Sequence, residues 1–384
     1  MSLFNLPTES QAQDSGISTI RHDEYASISI INPAGGGVSA FEFTSPANSW
    51  ITPRLSYFTF RFRISKGAAH APLEATNARI GDDGNVQFRS LPAANCDATL
   101  SHMLNGVQVE NCTAVPEVSA LVARTQMTHG FKRRTASVYR YEGINDLGNS
   151  NLTPPGGALQ PWDGETLEHE ACFVPPTGIW AFEAAIPGGR HRIALSLIPN
   201  LRARVLQMGQ AREALIDGSY ITVLLSSIVL NVRHMCPDYQ VKIPRHVVLL
   251  IHPLSLVMSF VAAGAGISTH ILSILPSTDL IYLAMNLATS GTSSQLQDGP
   301  SSFELSFKGL QVQYAGQSVP ALDYHDLHSG HASRSVAESY LDYQQTAGKL
   351  YSESSSADVF ATWSRNPIYG FSFESLPADT STSV

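Results

Sequence analysis

Residues 56–64 read S-Y-F-T-F-R-F-R-I, with Phe58, Phe60, Phe62 and Ile64 on one face and Thr59, Arg61 and Arg63 on the other. Alternation of this kind is what a half-buried strand requires, because successive side chains point to opposite faces of a sheet. The same period returns late in the chain, in Phe303-Glu304-Leu305-Ser306-Phe307 and in Leu310-Gln311-Val312-Gln313-Tyr314. A length of 384 residues is more than one core usually serves. Two all-β units of roughly 190 residues each are therefore expected in series.

On either side of this stretch the pattern is one of short strands and turns. Residues 1–24 are polar and aperiodic, which predicts an arm that orders on a partner. Alternation resumes at 25–32, Gly35-Gly36-Gly37 makes a turn, and Phe41-Glu42-Phe43 starts another strand. Residues 97–110 read as a hairpin turned at Asn105-Gly106, a pair suited to positive φ. A short helix is expected at 116–126, with Val118, Leu121 and Val122 on one face. Residues 143–176, rich in Gly, Pro, Asn and Asp, are expected to be one long interfacial loop. Residues 180–186 and 192–198 read as the closing strands of the first unit, 201–215 as a bridging helix, and 221–232 as the first strand of the second. Further strands are expected at 247–260, 271–275, 280–285, 303–307 and 310–314, and Ala315-Gly316 turns a hairpin into Val319. In 331–346, Ala332, Val336, Tyr340 and Tyr343 recur at helical spacing, and Gly348 supplies a stop. A last strand is expected at 369–373.

Charged residues make up only 15% of the chain, against a usual share of roughly 25%. So few charges point to a surface largely hidden in contacts with other copies. The net charge of −8 argues against a protein that wraps nucleic acid, which needs a clustered basic surface. The basic run Phe131-Lys132-Arg133-Arg134 reads as a solvated loop or a subunit contact. Cys96, Cys112, Cys172 and Cys236 are far apart, form no C-x-x-C pair, and read as free thiols. The first seven residues lack a basic region followed by an apolar core, so no signal peptide is expected and the sequons at Asn111 and Asn151 are expected to stay unmodified. Residues 247–278 carry no Asp, Glu, Lys or Arg, but His252-Pro253 and Gly264-Ala265-Gly266 interrupt them. Buried strands with a turn are expected there in preference to a membrane helix.

The sequence contains no phosphate loop, zincin, nucleophile-elbow or dinucleotide motif. One arrangement has ligand character: Asp323-Tyr324-His325-Asp326-Leu327-His328-Ser329-Gly330-His331. The imidazoles of His325, His328 and His331 would hold a divalent metal if the segment curled around it. The plainer reading, which we prefer, is a polar loop leading into the helix, with no metal. His169, between Glu168 and Glu170, has no nucleophile to serve and is read as surface. Trp162 and Trp180 have the shape to stack a sugar or a base and are read as core or interface. No catalytic residue and no cofactor is expected.

Several segments, taken in order, resemble the double jelly-roll major capsid proteins of icosahedral DNA viruses, most closely the polinton, virophage and adintovirus-like group. The similar segments are the aromatic strand 57–64, the strand–Asn-Gly–strand of 100–109, and the turn Ile186-Pro187-Gly188-Gly189 with the alternation after it. They continue with Ile228 to Arg233, Leu275-Pro276 before the apolar 280–286, the strand–turn–helix of 312–346, and 368–373. The resemblance implies an all-β fold of two tandem eight-stranded antiparallel jelly rolls with a few short helices. Its boundaries would be an arm at 1–24, a first roll at 25–216, a second at 217–376 and a tail at 377–384. It further implies a non-enzymatic homotrimer of six rolls, forming pseudo-hexameric capsomers in a virion shell assembled inside the host cell. The partners would be neighbouring capsomers and minor or penton proteins, without sequence-specific nucleic-acid binding. Rival expectations are a cupin-like carbohydrate- or metal-binding sandwich built on His325, His328 and His331, a penton or spike subunit, and a membrane-associated protein using residues 247–263.

Overall fold

The computed structural model describes residues 17–46, 49–66, 86–88, 91–125, 166–175, 178–181, 185–208, 221–237, 280–284, 306–314, 317–328, 333–347, 360–364 and 367–372. Strands dominate, as expected. In chain order they begin β1 (Ile17–Ala26), β2 (Val38–Thr44), β3 (Trp50–Ile51), β4 (Tyr57–Lys66), β5 (Val86–Phe88), β6 (Asp97–Leu104) and β7 (Val107–Thr113). After helix α1 (Val115–Thr125) come β8 (Thr166–Phe173), β9 (Ile186–Pro187) and β10 (Arg190–Leu197). The short helix α2 (Leu201–Val205), β11 (Leu206–Met208) and the long β12 (Ile221–Pro237) come next.

Eight of these strands make one closed scheme. β1 pairs with β12, β2 with β10, β4 with β8 and β6 with β7, all antiparallel. Among these eight, the first strand in the chain therefore meets the last, the second the seventh, the third the sixth and the fourth the fifth. The resulting double ribbon is rolled on itself, because β12 also pairs with β4 and β10 with β6. Two sheets result, β1-β12-β4-β8 and β2-β10-β6-β7, the first extended by β3 and β9. This wiring is that of a jelly roll. β5 and β11 pair with each other apart from it.

The sheets close on one core because alternation holds in each strand. Phe58, Phe60 and Phe62 are wholly buried, opposite Leu230, Ile228 and Leu225 of β12. Each such ring contributes roughly 1.5–3 kcal/mol by leaving water. On β12 the buried set changes parity, from Val223 and Leu225 to Ile228, Leu230, Val232 and His234. A register shift between Leu225 and Ser227 accounts for this, since one extra residue turns every later side chain to the other face. On the outside, Arg61 Nε donates to Glu170 Oε1 at 2.8 Å, an exposed cross-strand pair.

The turns obey local chemistry. Asn105 and Gly106 both have positive φ, 51° and 83°, as the two-residue hairpin turn needs. Gly35, at φ 83°, comes so close to the chain near Ile198 that a Cβ would lie 2.5 Å from the Ile198 carbonyl oxygen. Gly35→Ala is expected to cost about 2 kcal/mol or more, through left-handed strain and overpacking. A melting temperature equal to that of the parent would contradict this placement.

The rest of the chain adds β13 (Leu280–Ala284), β14 (Ser306–Tyr314), β15 (Gln317–His328), helix α3 (Arg334–Thr346), the short α4 (Phe360–Trp363) and β16 (Ile368–Ser372). β13 pairs with β16, and β14 forms a hairpin with β15. Ser333 caps α3 by accepting from the Val336 amide at 3.2 Å. Its buried Val336 and Tyr343 join Tyr324, Leu327, Trp363, Ile368, Tyr369 and Phe371 in a second, aromatic core. α1 connects the two cores: Leu121 packs on the second, and Tyr343 Oη donates to the Arg124 carbonyl at 3.0 Å.

Five expectations change. Ile221–Pro237 does not open a second unit but is the eighth strand of the first roll, so the boundary expected at 217 moves past Pro237. Residues 17–24 of the expected arm are strand, paired with β12 of the same chain, which also moves the start of the roll expected at 25. Thr166–Phe173, expected in a loop, is β8. The strand expected at 180–186 is instead a 3-10 turn, Gly178–Ala181, followed by the two-residue β9. The bridging helix shrinks to Leu201–Val205. The strands expected at 247–260 and 271–275, the basic run at 131–134, Trp162 and Gly348 lie outside the described residues. Among the described residues no helix is long and apolar enough to cross a membrane.

Candidate functional site: interior histidines and an apolar edge

Residues 323–328 of the histidine segment, expected as a loop, are strand. His325 and His328 stand on β15, opposite Gly309 and Ser306 of β14, while His331 lies outside the described residues. Positions three apart on a strand fall on opposite faces. Tyr324 and Leu327, also three apart, are both buried, so the strand is covered on both sides there. Among the described residues no group of three or more His, Cys, Asp and Glu is arranged to hold a metal ion. His169 is on β8 opposite Phe62, and its neighbours Glu168 and Glu170 are exposed. Trp180 is buried in the core.

A different set of histidines is brought together, inside the first roll. His102 of β6 and His191 of β10 lie diagonally across a strand pair, since His191 faces Leu104 and His102 faces Ile193. Both are wholly buried, and His102 Nε2 lies 3.0 Å from His191 Nδ1. The remaining nitrogens, His102 Nδ1 and His191 Nε2, have no hydrogen-bond partner among the described residues. Burial lowers His102 to about 4. Burial, with His102 and His234 nearby, lowers His191 to about 3. At neutral pH the pair is uncharged, one ring donating to the other.

Aromatic rings extend this pair into a column. His191 stacks on Phe43 at 4.5 Å with an interplanar angle of 4°, and Phe43 stacks on Tyr25 at 4.8 Å. At the other end His102 lies 5.5 Å from Trp180. His234 of β12 meets Phe43 edge-on at 6.4 Å and lies 3.5 Å from both Asp23 Oδ2 and Tyr25 Oη. Burial lowers the His234 pKa, with Asp23 opposing it. Burial pushes Asp23 up, but its hydrogen bond and charge contact with Arg21 prevail and hold the carboxyl below its usual range.

Periodicity places the strands that carry His102 and His191 but does not bring their imidazoles together. The available signal was phase: His191 stands in step with Ile193 and Leu195, and His102 with Leu100. A second buried titratable group, Asp97, is raised well above the usual carboxylate range by burial, and neither of its oxygens has a hydrogen-bond partner among the described residues. Beside it the buried Cys96 thiol is also raised, chiefly by burial, which makes it a poor nucleophile. These groups all lie in the interior of the roll.

One exposed feature of the roll is an apolar edge. The Ile28 amide donates to the Ala40 carbonyl at 2.7 Å, and Ser29 Oγ bridges β2, donating to the Val38 carbonyl and accepting from the Ala40 amide at 2.9 Å each. With the serines turned to β2, Ile28, Ile30 and Val38 are left 62%, 98% and 53% exposed. A cluster of this kind is uncommon on a monomer and marks contact surface.

No family model matches the sequence, and no curated protein is a significant match. Solved structures do resemble the fold. A chain from the cryo-EM structure of the Sputnik virophage aligns at 17% identity over 64% of this chain and 52% of its own, with a TM-score of 0.44. The mavirus major capsid protein aligns at 9% identity over 63% and 52%, with a TM-score of 0.37. A chain of the PBCV-1 virus capsid aligns at 9% identity over 92% and 77%, with a TM-score of 0.41. The chain thus spans about half the length of the Sputnik and mavirus chains.

Proposed function

We propose that this chain is the major structural subunit of an icosahedral viral shell. It would act without catalysis, as a homotrimer of two-roll subunits whose six rolls form a pseudo-hexagonal capsomer. The observation that carries this reading is the pairing of eight strands, first with last and inward, in the first roll. That wiring belongs to viral capsid, lectin and cupin domains. The order of segments along the sequence favours the capsid member of that set, and the low charge content agrees with a surface spent on contacts between copies. Ile28, Ile30 and Val38 supply an edge for such contacts. Head-to-tail association of three chains closes a ring, and repeated lateral contacts then tile a shell. Residues beyond Pro237 to about 376 would make the second roll, and the shell would assemble inside the host cell. Neighbouring capsomers and minor or penton proteins would be the partners.

Light scattering of the purified chain tests the reading. The expected mass is three times that of the chain. A monodisperse monomer at micromolar concentration and above would overturn it and favour a binding module.

A further inference from the structure

We propose that the ring column Tyr25–Phe43–His191–His102, with His234 against it, is an acid-sensitive latch that holds the N-terminal strand and both sheets together at one end of the first roll. The column crosses the sandwich: Tyr25 belongs to β1, His234 to β12, Phe43 to β2, His191 to β10 and His102 to β6. Protonation would set two imidazolium rings 3.0 Å apart in the buried interior. The titratable and charged groups packed around the column are few. Asp23, bonded to Arg21, faces His234; Tyr25 lies against both Asp23 and His234; His22 is exposed on β1. Glu42 and Arg190 pair with each other at the surface of β2 and β10. Glu110 of β7 stands opposite His102 in the strand pairing, yet burial sets the direction in which His102 is shifted.

The sign of the effect is set by linkage. A base whose folded pKa lies below its unfolded value gives stability that is whole above the unfolded value, near 6.5, and is lost as pH falls through it. Asp97 acts in the opposite sense, because a carboxyl raised by burial gains stability on acidification. Its contribution is common to the parent and to variants at other positions.

The test is equilibrium unfolding of the full chain between pH 7 and pH 4.5. Each buried ring is expected to raise the unfolding constant of the parent by about 50-fold from pH 6.5 to 4.5, set against the opposing contribution of Asp97. His102→Leu with His191→Phe removes both partners of the pair and is expected to lose most of that rise. His22→Gln is expected to keep it. A double variant whose profile between pH 7 and pH 4.5 matches that of the parent would overturn the proposal. Should the double variant not fold, amide exchange of the parent at pH 5, corrected for intrinsic rate, gives the same answer. Selective loss of protection in β1 and β10 relative to β4 and β8 supports the latch, and uniform protection refutes it.

Discussion

Phe60→Asp is expected to yield no soluble folded chain. Phe60 is wholly buried, opposite Ile228 on one neighbouring strand and Ala171 on the other, and its ring stacks on Phe62 at 6.2 Å. A carboxylate there would have apolar neighbours on every side, and burying an unpaired charge costs more than the few kcal/mol by which a domain is stable. Phe60→Leu is the matching control. It removes the ring but keeps the site apolar, and should fold with a loss of about 1–2 kcal/mol. Soluble yield and the thermal melt of the two variants separate the cases. Normal yield and a normal melt for Phe60→Asp would remove β4 from the core.

Trp363→Ala is expected to have the second largest effect, and in the other core. The indole is 1% exposed and is surrounded by Tyr340 at 5.2 Å, Tyr369 at 6.0 Å, Phe360 at 6.2 Å and Tyr343 at 6.3 Å. Its Nε1 donates to the Ile368 carbonyl at 2.9 Å, so truncation opens a cavity and also removes a buried hydrogen bond. A loss of about 3–5 kcal/mol is expected, read as a lower denaturant midpoint. Because Tyr343 also bonds the Arg124 carbonyl on α1, the loss should be felt by the first roll, and a single shifted transition is expected. A midpoint within error of the parent would mean that α3, α4 and β16 do not share one core.

Where periodicity is strong and the partner is near, the sequence was legible. β4, the β6–β7 hairpin at Asn105-Gly106 and α3 lie within a residue or three of where alternation, turn chemistry and capping place them. The partner of a distant strand was not legible. Ile221–Pro237 is plainly a strand in the sequence, but nothing local says that it pairs backwards, with Ile17–Ala26 and Tyr57–Lys66, and not with strands later in the chain. In a jelly roll the outermost pairs join the ends of the chain segment, so the boundary of the roll is where local reasoning is weakest. β8 was missed for a different reason. The positions in phase with its buried Ala171 and Phe173 include His169, too weakly apolar a series to stand out beside the Gly- and Pro-rich residues before it.

The candidate site shows the same division. His325, His328 and His331 draw attention because they are close in sequence, yet a strand separates the first two by face. His102, His191 and His234 are remote in sequence and meet only because β6, β10 and β12 bring core-phase positions to one end of the sandwich. A histidine in phase with buried Ile and Leu is the clue that such a cluster leaves.

The central claim is assembly, and electron microscopy of negatively stained particles from the purified chain tests it most directly. Particles with a hexagonal outline and three-fold symmetry, or closed shells tiled from them, are the predicted result. Small featureless particles of one chain each, or rings of five-fold symmetry, would contradict it.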